Sequence, residues 1–282
     1  MKNPEIFPGS NILVKGKIPP SSLLLIGPTG VGKTIFCKHF LHNGLLAGEP
    51  CIYVTTSEIP KEIEVSMKSF GLDIEPYKET EMIRLIDGCS WKLGRKSASE
   101  YAVDGQQNYL TSLSIIIKKA RSNLKNVRLI FDSVSELTAL ANQDAVLKFL
   151  QILTARIRLN RGKAIFTVAS GAHDDHSLNL LRLIFDGILE MKLDDSGKEI
   201  KRLLRIFSLK GIRHKTSWTP FNITDKGIEL LRETDLRCAL CSKLIDWEPI
   251  IKIIEGKKYH FDRLDCLNTY KKYKSIYGSS FE

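Results

Sequence analysis

A glycine-rich stretch near the N-terminus constrains this chain more than any other feature. Residues 27–34 read Gly-Pro-Thr-Gly-Val-Gly-Lys-Thr and match the pattern Gly-x-x-x-x-Gly-Lys-Thr at every fixed position. The apolar residues 23–26 before this stretch predict a buried strand, and a helical pattern follows from Thr34 to about Leu46. A strand, a glycine loop and a helix in this order are typical of a phosphate-binding loop, so a glycine turn without that role is the weaker alternative.

The residue types of this loop suit the binding of a nucleotide polyphosphate. Its glycines let backbone N–H groups and the helix N-terminus face an anion. Lys33 can reach the β and γ phosphates, and the Thr34 hydroxyl can ligate Mg²⁺. We therefore expect ATP and Mg²⁺ as cofactors. The residues expected to contact the nucleotide are Gly27, Pro28, Thr29, Gly30, Val31, Gly32, Lys33 and Thr34.

The composition indicates a globular protein. The chain has 282 residues, of which 43% are hydrophobic and 26% charged, and this length accommodates one large domain and a small one. No apolar run approaches the ~18 residues of a membrane span, and the N-terminus lacks the apolar segment of a signal peptide. We therefore expect a cytoplasmic protein without a membrane partner. The net charge of +10 is weak evidence for a nucleic-acid partner, because solvated surface lysines also explain it.

Strand-like and helix-like segments alternate along most of the chain. The predicted strands are residues 23–26, 50–58, 83–86, 127–132, 164–169, 187–191 and 202–209, and the predicted helices are residues 34–46, 60–70, 107–124, 146–159 and 178–184. This alternation predicts an α/β fold with a mostly parallel sheet covered on both faces. The last strands have no helix between them, which indicates an antiparallel edge. Residues 88–105 are predicted to form a long loop.

Three further side chains are candidates for catalysis or sensing near the loop. Asp132 ends an apolar strand about a hundred residues after the loop, and we expect it on a neighbouring strand, where it would hold the Mg²⁺–water network. Its alternative role is a turn or cap residue. Glu58 follows the second strand, and we expect it to activate water. Its alternative role is a structural acid at a helix start. The predicted catalytic residues are thus Glu58, Lys33 and Asp132. His173 follows a later strand and could sense phosphate, although loop histidines without such a role are more common.

Several motifs in a fixed order resemble one known family. They are the phosphate loop and residues 18–22, 53–60, 131–137, 185–190 and 218–228. Together they look like a KaiC-type ATPase of the RecA superfamily, particularly its single-domain archaeal and bacterial forms, over residues 10–232. The resemblance implies a RecA-like fold, ATP binding with Mg²⁺, and homo-oligomers, commonly hexameric rings, with the nucleotide between subunits.

Two departures from the family pattern affect the expected activity. Where relatives have two adjacent glutamates, this chain has Ser57 and Glu58, so one carboxylate is lost. Relatives also carry an arginine that reaches the nucleotide of the neighbouring subunit; here Lys210 takes its place, with Arg213 nearby. Lysine offers a point charge instead of a planar fork, which would weaken this contact. Solvated surface charges are the alternative role of Lys210 and Arg213. The departures favour slow hydrolysis.

The C-terminal residues carry a separate cysteine pattern. Cys238 and Cys241 form a Cys-x-x-Cys motif, and Cys266 precedes an apparent helix. The pattern resembles treble-clef-like zinc modules of the LIM or TRASH type, in which the spacing would select Asp262 as the fourth ligand. Imidazole suits Zn²⁺ beside thiolates, so His260 is the preferred fourth ligand. Reduced cysteines without metal are the alternative. We expect an ATPase domain over residues 1–235 and a zinc module over residues 236–282.

Three functions remain open from the sequence. The leading hypothesis is a slow ATPase that acts as a nucleotide-dependent regulatory or signalling switch. The second is a RecA-type ATPase of DNA recombination or repair, which the basic charge favours. The third is a nucleotide-binding adaptor without turnover, which the missing glutamate favours. The partner would be a regulatory protein or a nucleic acid accordingly, and lysines and tyrosines of the zinc module could contact the latter.

Overall fold

The computed structural model of the protein describes residues 5–104, 108–196, 200–231, 237–243, 245 and 249–278. The chain divides into two compact units, Met1–Leu230 and Leu231–Glu282. The predicted boundary between residues 235 and 236 lies outside the described residues, so it stays a prediction.

Strands of the larger unit follow one another along the chain with helices between most of them. The strands are β1 (Val14–Lys15), β2 (Ser22–Gly27), β3 (Cys51–Thr55), β4 (Ile83–Asp87), β5 (Tyr101–Ala102), β6 (Arg128–Asp132), β7 (Lys163–Ala169), β8 (Gly187–Asp194), β9 (Lys201–Leu209), β10 (Arg213–His214), β11 (Thr219–Thr224) and β12 (Gly227–Leu230). The helices are α1 (Ser10–Leu13), α2 (Lys33–Leu46), α3 (Pro60–Ser69), α4 (Glu75–Lys78), α5 (Tyr109–Ala120), α6 (Val134–Leu140), α7 (Gln143–Leu159) and α8 (Asp175–Ile184).

One large sheet organises this unit. Within the described residues its strand order is β12-β11-β9-β8-β2-β7-β6-β3-β4-β5. The strands from β8 to β5 in this order are parallel, whereas β9, β11 and β12 add to the other side as antiparallel strands. The predicted α/β class, the mostly parallel sheet and its antiparallel edge are confirmed.

Two apolar layers cover the two faces of the sheet. The first contains residues of α2 and α3, such as Phe36 and Met67. The second contains residues of α5, α7 and α8, such as Leu113, Leu150 and Leu181. All six residues of β2 are buried, as expected of a central parallel strand with helices on both sides.

Local capping places two helix starts earlier than the leucine spacing predicts. The side chain of Asn142 accepts a hydrogen bond from the N–H of Ala145 at 2.9 Å, so α7 begins at Gln143. The side chain of Asp174 does the same for Ser177 at 2.7 Å before α8. These caps satisfy N–H groups of the first turn, which lies before the first apolar residue of each helix.

Some elements were not predicted. The predicted loop at residues 88–105 contains a 3₁₀ turn at Ser90–Leu93 and the short strand β5, which extends the sheet beyond β4. Helix α6 has seven residues and buries only Val134 and Leu137, so it is too short for a periodic pattern. The β11–β12 hairpin was also not predicted, because β11 contains Pro220 and Asn222, which are rare in strands, and β12 has only four residues.

The smaller unit has its own sheet and core. It contains β13 (Ile250–Ile254), β14 (Lys257–Phe261) and α9 (Leu264–Tyr277), and the two strands pair antiparallel. Its buried cluster consists of Cys238, Phe261, Cys266, Leu267 and Tyr270. No described helix of either unit is both long enough and apolar enough to cross a membrane.

Candidate functional site

The strand register brings the phosphate loop and Asp132 to the same end of the sheet, where the parallel strands have their carboxyl ends. Gly27 at the end of β2 pairs with Ala169 of β7, and Thr55 at the end of β3 pairs with Asp132 of β6. Because these strands are parallel, their carboxyl ends lie on the same side. The expectation that Asp132 lies on the strand next to that of the loop is wrong, because β7 lies between β2 and β6.

The phosphate loop wraps around its own lysine. Lys33 Nζ donates hydrogen bonds to the carbonyl oxygens of Gly27 at 2.7 Å and Pro28 at 2.8 Å. Gly30 and Gly32 have φ values of 78° and 110°, which side chains rarely adopt. A Cβ atom on Gly32 would also lie 2.9 Å from Ile223 Cδ1. The loop thus depends on glycine at these positions.

Asp132 accepts hydrogen bonds from three hydroxyl groups. Its Oδ2 accepts from Thr34 Oγ1 at 2.8 Å and from the Tyr53 hydroxyl at 2.9 Å, and its Oδ1 accepts from the Thr167 hydroxyl. Burial and the charge of Asp132 raise the pKa of Tyr53, so this phenol is a stable donor. Tyr53 and Thr167 were not predicted; the available signal was a polar atom within an otherwise apolar strand.

The side chains at the carboxyl ends of these strands have the chemistry to bind Mg²⁺ and a polyphosphate. The Thr34 hydroxyl and the Asp132 carboxylate, which are in contact, are the oxygen ligands that Mg²⁺ prefers. Burial lowers the pKa of Lys33, and the charge of Asp132 opposes this effect. A polyphosphate would replace the two carbonyl partners of Lys33 with charged oxygens, which form stronger hydrogen bonds with an ammonium group.

Glu58 lies in the turn after β3, where its backbone is fixed by Thr55. The Glu58 N–H donates to Thr55 Oγ1 at 3.1 Å, and the Thr55 hydroxyl donates to the Glu58 carbonyl at 2.6 Å. The Glu58 carboxylate accepts a hydrogen bond from Lys38 Nζ of α2 at 2.9 Å. Sequence reasoning missed Lys38; the signal was a lysine one helical turn after Thr34 in a largely apolar helix.

A contact with Ser135 of α6 places His173 near the carboxyl end of β7. The Ser135 Oγ and His173 Nε2 atoms are 3.0 Å apart, and the same Oγ accepts from the Ala169 N–H at 3.0 Å. Burial lowers the pKa of His173, so the neutral ring is favoured. The structure thus connects His173 to the end of β7, and its sensing role stays a prediction.

Lys210 is not brought to the loop of its own chain, and Arg213 lies in β10, where it pairs with Lys15 of β1. Leu209 at the end of β9 pairs with Gly187 at the start of β8, and Gly187 pairs with Leu23 near the start of β2. Lys210 follows Leu209 and therefore lies at the end of the sheet where β2 and β8 begin, whereas Gly27 lies at the end where β2 finishes. A contact of Lys210 with the nucleotide of a second copy of the chain stays a prediction.

The cysteines of the smaller unit come together. The Sγ atoms of Cys238, Cys241 and Cys266 all lie within 4.8 Å of one another. Among the described residues, neither His260 nor Asp262 belongs to this group of ligand atoms. His260 is nevertheless close to the cysteine motif, because its carbonyl oxygen accepts a hydrogen bond from the N–H next to Cys238 at 2.8 Å.

Backbone groups already favour a thiolate at Cys238. Burial raises the pKa of its thiol, but N–H groups of Cys241, Asp262 and Leu240 directed at the sulfur lower it to about 7. A thiolate that accepts N–H hydrogen bonds in a Cys-x-x-Cys turn suits a structural metal.

Comparisons with known proteins agree with this geometry. A family model described as "ATPase: KaiC" matches residues 8–235. A UPF0273 protein of Pyrococcus horikoshii is 30% identical over 232 residues, which cover 79% of this chain and 90% of that protein. A UPF0273 protein of Methanocaldococcus jannaschii is 30% identical over 227 residues, with 79% and 93% covered.

A solved structure supports the same fold. The crystal structure of a KaiC-like protein from Pyrococcus horikoshii superposes with a TM-score of 0.64 at 24% identity, covering 82% of this chain and 98% of that one. This likeness shows the fold alone, whereas the family match extends over most of the sequence. The chain therefore belongs to the KaiC family of ATPases.

Proposed function

We propose that this protein is a Mg²⁺-dependent ATPase with slow turnover that acts as a nucleotide-dependent regulatory switch. The contact between Thr34 of the phosphate loop and Asp132 of β6 carries this proposal, since P-loop ATPases hold Mg²⁺ with a loop hydroxyl and an aspartate at the end of another strand. Membership of an ATPase family supports ATP as the nucleotide. The switch role is supported by the expected slow hydrolysis.

Each residue of the site has a defined role in this proposal. The loop N–H groups and Lys33 bind the phosphates, and bound Mg²⁺ neutralises charge on the phosphate oxygens. Glu58 orients a water molecule and takes its proton, while the water oxygen bonds to the γ-phosphorus and the bond to the bridging oxygen of ADP breaks. The site lacks a second carboxylate beside Glu58, because Ser57 stands there.

The proposed functional form is a homo-oligomer with nucleotide between subunits, of which a hexamer is one form. The position of Lys210 supports an oligomer. Lys210 lies at the end of the sheet away from the phosphate loop, so a neighbouring copy would have to supply this cation to the nucleotide. Without the planar fork of an arginine, the contact would stabilise the transition state less. Turnover would then be slow, and the nucleotide state would persist long enough to control a partner.

Turnover of the full chain with and without Mg²⁺ and single-stranded DNA tests the proposal. We expect slow, Mg²⁺-dependent hydrolysis that DNA does not change. Strong stimulation by DNA together with filaments would support the recombination or repair function instead. ATP binding without any turnover would support the adaptor function.

A Glu58→Gln variant tests the assignment of the base. The amide keeps the shape of the side chain but cannot take a proton, so we expect turnover to fall by about 10²-fold with ATP affinity unchanged. Steady-state hydrolysis and calorimetry measure the two quantities. Turnover at the parent rate would exclude Glu58 as the base.

We also propose a structural Zn²⁺ bound by Cys238, Cys241, Cys266 and His260, with Asp262 as the alternative fourth ligand. The approach of three sulfur atoms within 4.8 Å supports the site. A small unit gains folding free energy from such a metal.

Metal analysis of the purified chain should find one Zn²⁺ per chain, reduced to near zero by Cys238→Ser. His260→Ala should weaken zinc binding more than Asp262→Ala if His260 is the fourth ligand, and the reverse order would assign Asp262. An intact chain without zinc would contradict the site.

A further inference from the structure

Lys38 is a buried cation in the middle of the helix that follows the phosphate loop. Its side chain is 1% exposed. It lies four residues after Thr34, and therefore on the same side of α2 one turn further along. A buried ammonium group is costly unless it is paired and hydrogen-bonded. The partners of Lys38 thus indicate what this position is for.

Lys38 has two partners beyond its own helix. Its Nζ donates to Glu58 Oε2 at 2.9 Å and to Ser66 Oγ of α3 at 3.0 Å. Glu58 is the only carboxylate that forms a salt bridge with it in the described part of the chain. The ammonium therefore ties the turn after β3 to both α2 and α3. The carboxylate that Lys38 binds, that of Glu58, is the one that the sequence predicts to activate water.

The contact uses only one oxygen of Glu58. Oε2 accepts from Lys38, whereas Oε1 accepts no hydrogen bond from the described residues. The Glu58 side chain is 37% exposed, in contrast to its almost fully buried partner. The Thr55 hydrogen bonds fix the Glu58 backbone, so Lys38 is the remaining restraint on the carboxylate.

We propose that Lys38 is a positioning residue for ATP hydrolysis. Its ammonium group holds Oε2 of Glu58 and leaves Oε1 free to accept a hydrogen bond from the attacking water. This inference rests on the proposed role of Glu58 as the base. In this role Lys38 acts through Glu58 and not by contact with the water or the nucleotide. Without it, the half-exposed carboxylate samples other rotamers, and a displacement of about 1 Å at a reacting group can cost about 10²-fold in rate.

Two substitutions of Lys38 test the inference in the full chain. Lys38→Met replaces the ammonium group with an uncharged thioether end, and Lys38→Gln replaces it with an amide donor; both side chains are one atom shorter than that of lysine. We expect kcat for Mg-ATP to fall roughly tenfold in both, while the Kd for ATP stays within about twofold, because Lys38 acts on the chemical step. Circular dichroism checks folding, and Lys38→Gln carries the test if the methionine variant does not fold.

A double-mutant comparison with Glu58→Gln separates a positioning role of Lys38 from a purely structural effect of its substitution. In a Glu58→Gln chain, Lys38→Met should change the single-turnover rate no further, because Lys38 acts through the carboxylate that is already absent. Lys163→Met is the matched control. Lys163 also pairs with a glutamate, Glu49, at 2.6 Å, but at the start of β7 and thus at the other end of the sheet. We expect its kcat to equal that of the parent chain.

The outcomes distinguish this inference from the proposed function. Parent or higher kcat in both Lys38 variants, with Glu58→Gln still impaired, overturns the positioning role alone. An equal loss from Lys38→Met in the parent chain and in the Glu58→Gln chain also overturns it, since Lys38 would then act independently. Full turnover in Glu58→Gln removes the base assignment itself, and the positioning role with it.

Discussion

The ammonium of Lys33 shows how a single residue serves both the resting loop and the proposed nucleotide site. It donates to two carbonyl groups of its own loop, and burial lowers its pKa while Asp132 opposes this effect. Its two carbonyl partners are ones that a phosphate can replace. Lys38, five residues further along α2, has a carboxylate partner instead. Two lysines of one helix thus have different tasks because their surroundings differ.

We predict that Lys33→Ala removes most ATP affinity. The variant loses hydrogen bonds from a charged donor to phosphate oxygens, which contribute about 3 kcal/mol together, so Kd should rise about 10²-fold. Calorimetry measures the change. Lys61→Ala is the control, because that side chain is 78% exposed and should leave Kd unchanged. Equal affinities in parent and Lys33→Ala chains would reject the site.

At the scale of elements, Glu49 connects the end of α2 with two strands. Its Oε1 accepts from Lys163 of β7 at 2.6 Å, and its Oε2 accepts from Arg128 of β6. Arg128 is almost fully buried and also donates to the Phe40 carbonyl within α2 at 3.0 Å. This network holds the starts of the two strands against the helix that follows the loop.

The network predicts a pH dependence of stability. Burial raises the pKa of Glu49, but hydrogen bonds from Arg128 and Lys163 outweigh it and lower the pKa below the ordinary 4.5. A carboxyl with a lowered folded pKa stabilises the fold above its unfolded pKa, and this contribution is lost as the pH falls through the folded value. Glu49→Gln should thus be less stable at pH 7 and differ less from the parent chain in acid.

Urea denaturation of both chains between pH 7 and pH 3 measures this difference. Glu62→Gln is a suitable control, because among the described residues its carboxylate accepts one hydrogen bond, an exposed one from the Ile59 N–H at a helix start. A stability difference between Glu49→Gln and the parent that is the same at every pH would show that the charge of Glu49 contributes nothing.

For the whole molecule, the structure describes two compact units with separate apolar cores. The match to the ATPase family ends at residue 235, and the cysteine cluster lies beyond it. The residues proposed to bind ATP and those proposed to bind zinc thus belong to different units. We therefore expect each unit to fold without the ligand of the other.

We predict that a chain ending at residue 231 binds ATP with the affinity of the full chain, because the phosphate loop and Asp132 are packed within the first unit. Removal of zinc from the full chain with a chelator should likewise leave ATP affinity unchanged while lowering resistance of the C-terminal residues to proteolysis. The truncated Lys33→Ala chain serves as the control for binding at the loop. Loss of affinity on truncation would show that the units depend on each other.

The sequence by itself determined those features that depend on neighbouring residues. The phosphate loop, the alternation of strands and helices, and the Cys-x-x-Cys motif are local patterns, and their order was enough to identify the family. Asp132 and Glu58 became candidates because the first ends, and the second follows, a recognisable apolar strand. The roles of all the predicted site residues, Lys33, Thr34 and Asp132 included, stay predictions.

The tertiary structure decided which distant residues meet. Strand order placed β7 between β2 and β6, so that Thr167 contacts Asp132, although the sequence suggested that the loop strand and the strand of Asp132 are neighbours. The pairing of Lys38 with Glu58 joins a helix to a turn across 20 residues. Such contacts depend on how the sheet orders its strands and on which face each helix packs, and no local pattern of apolar and polar residues specifies either.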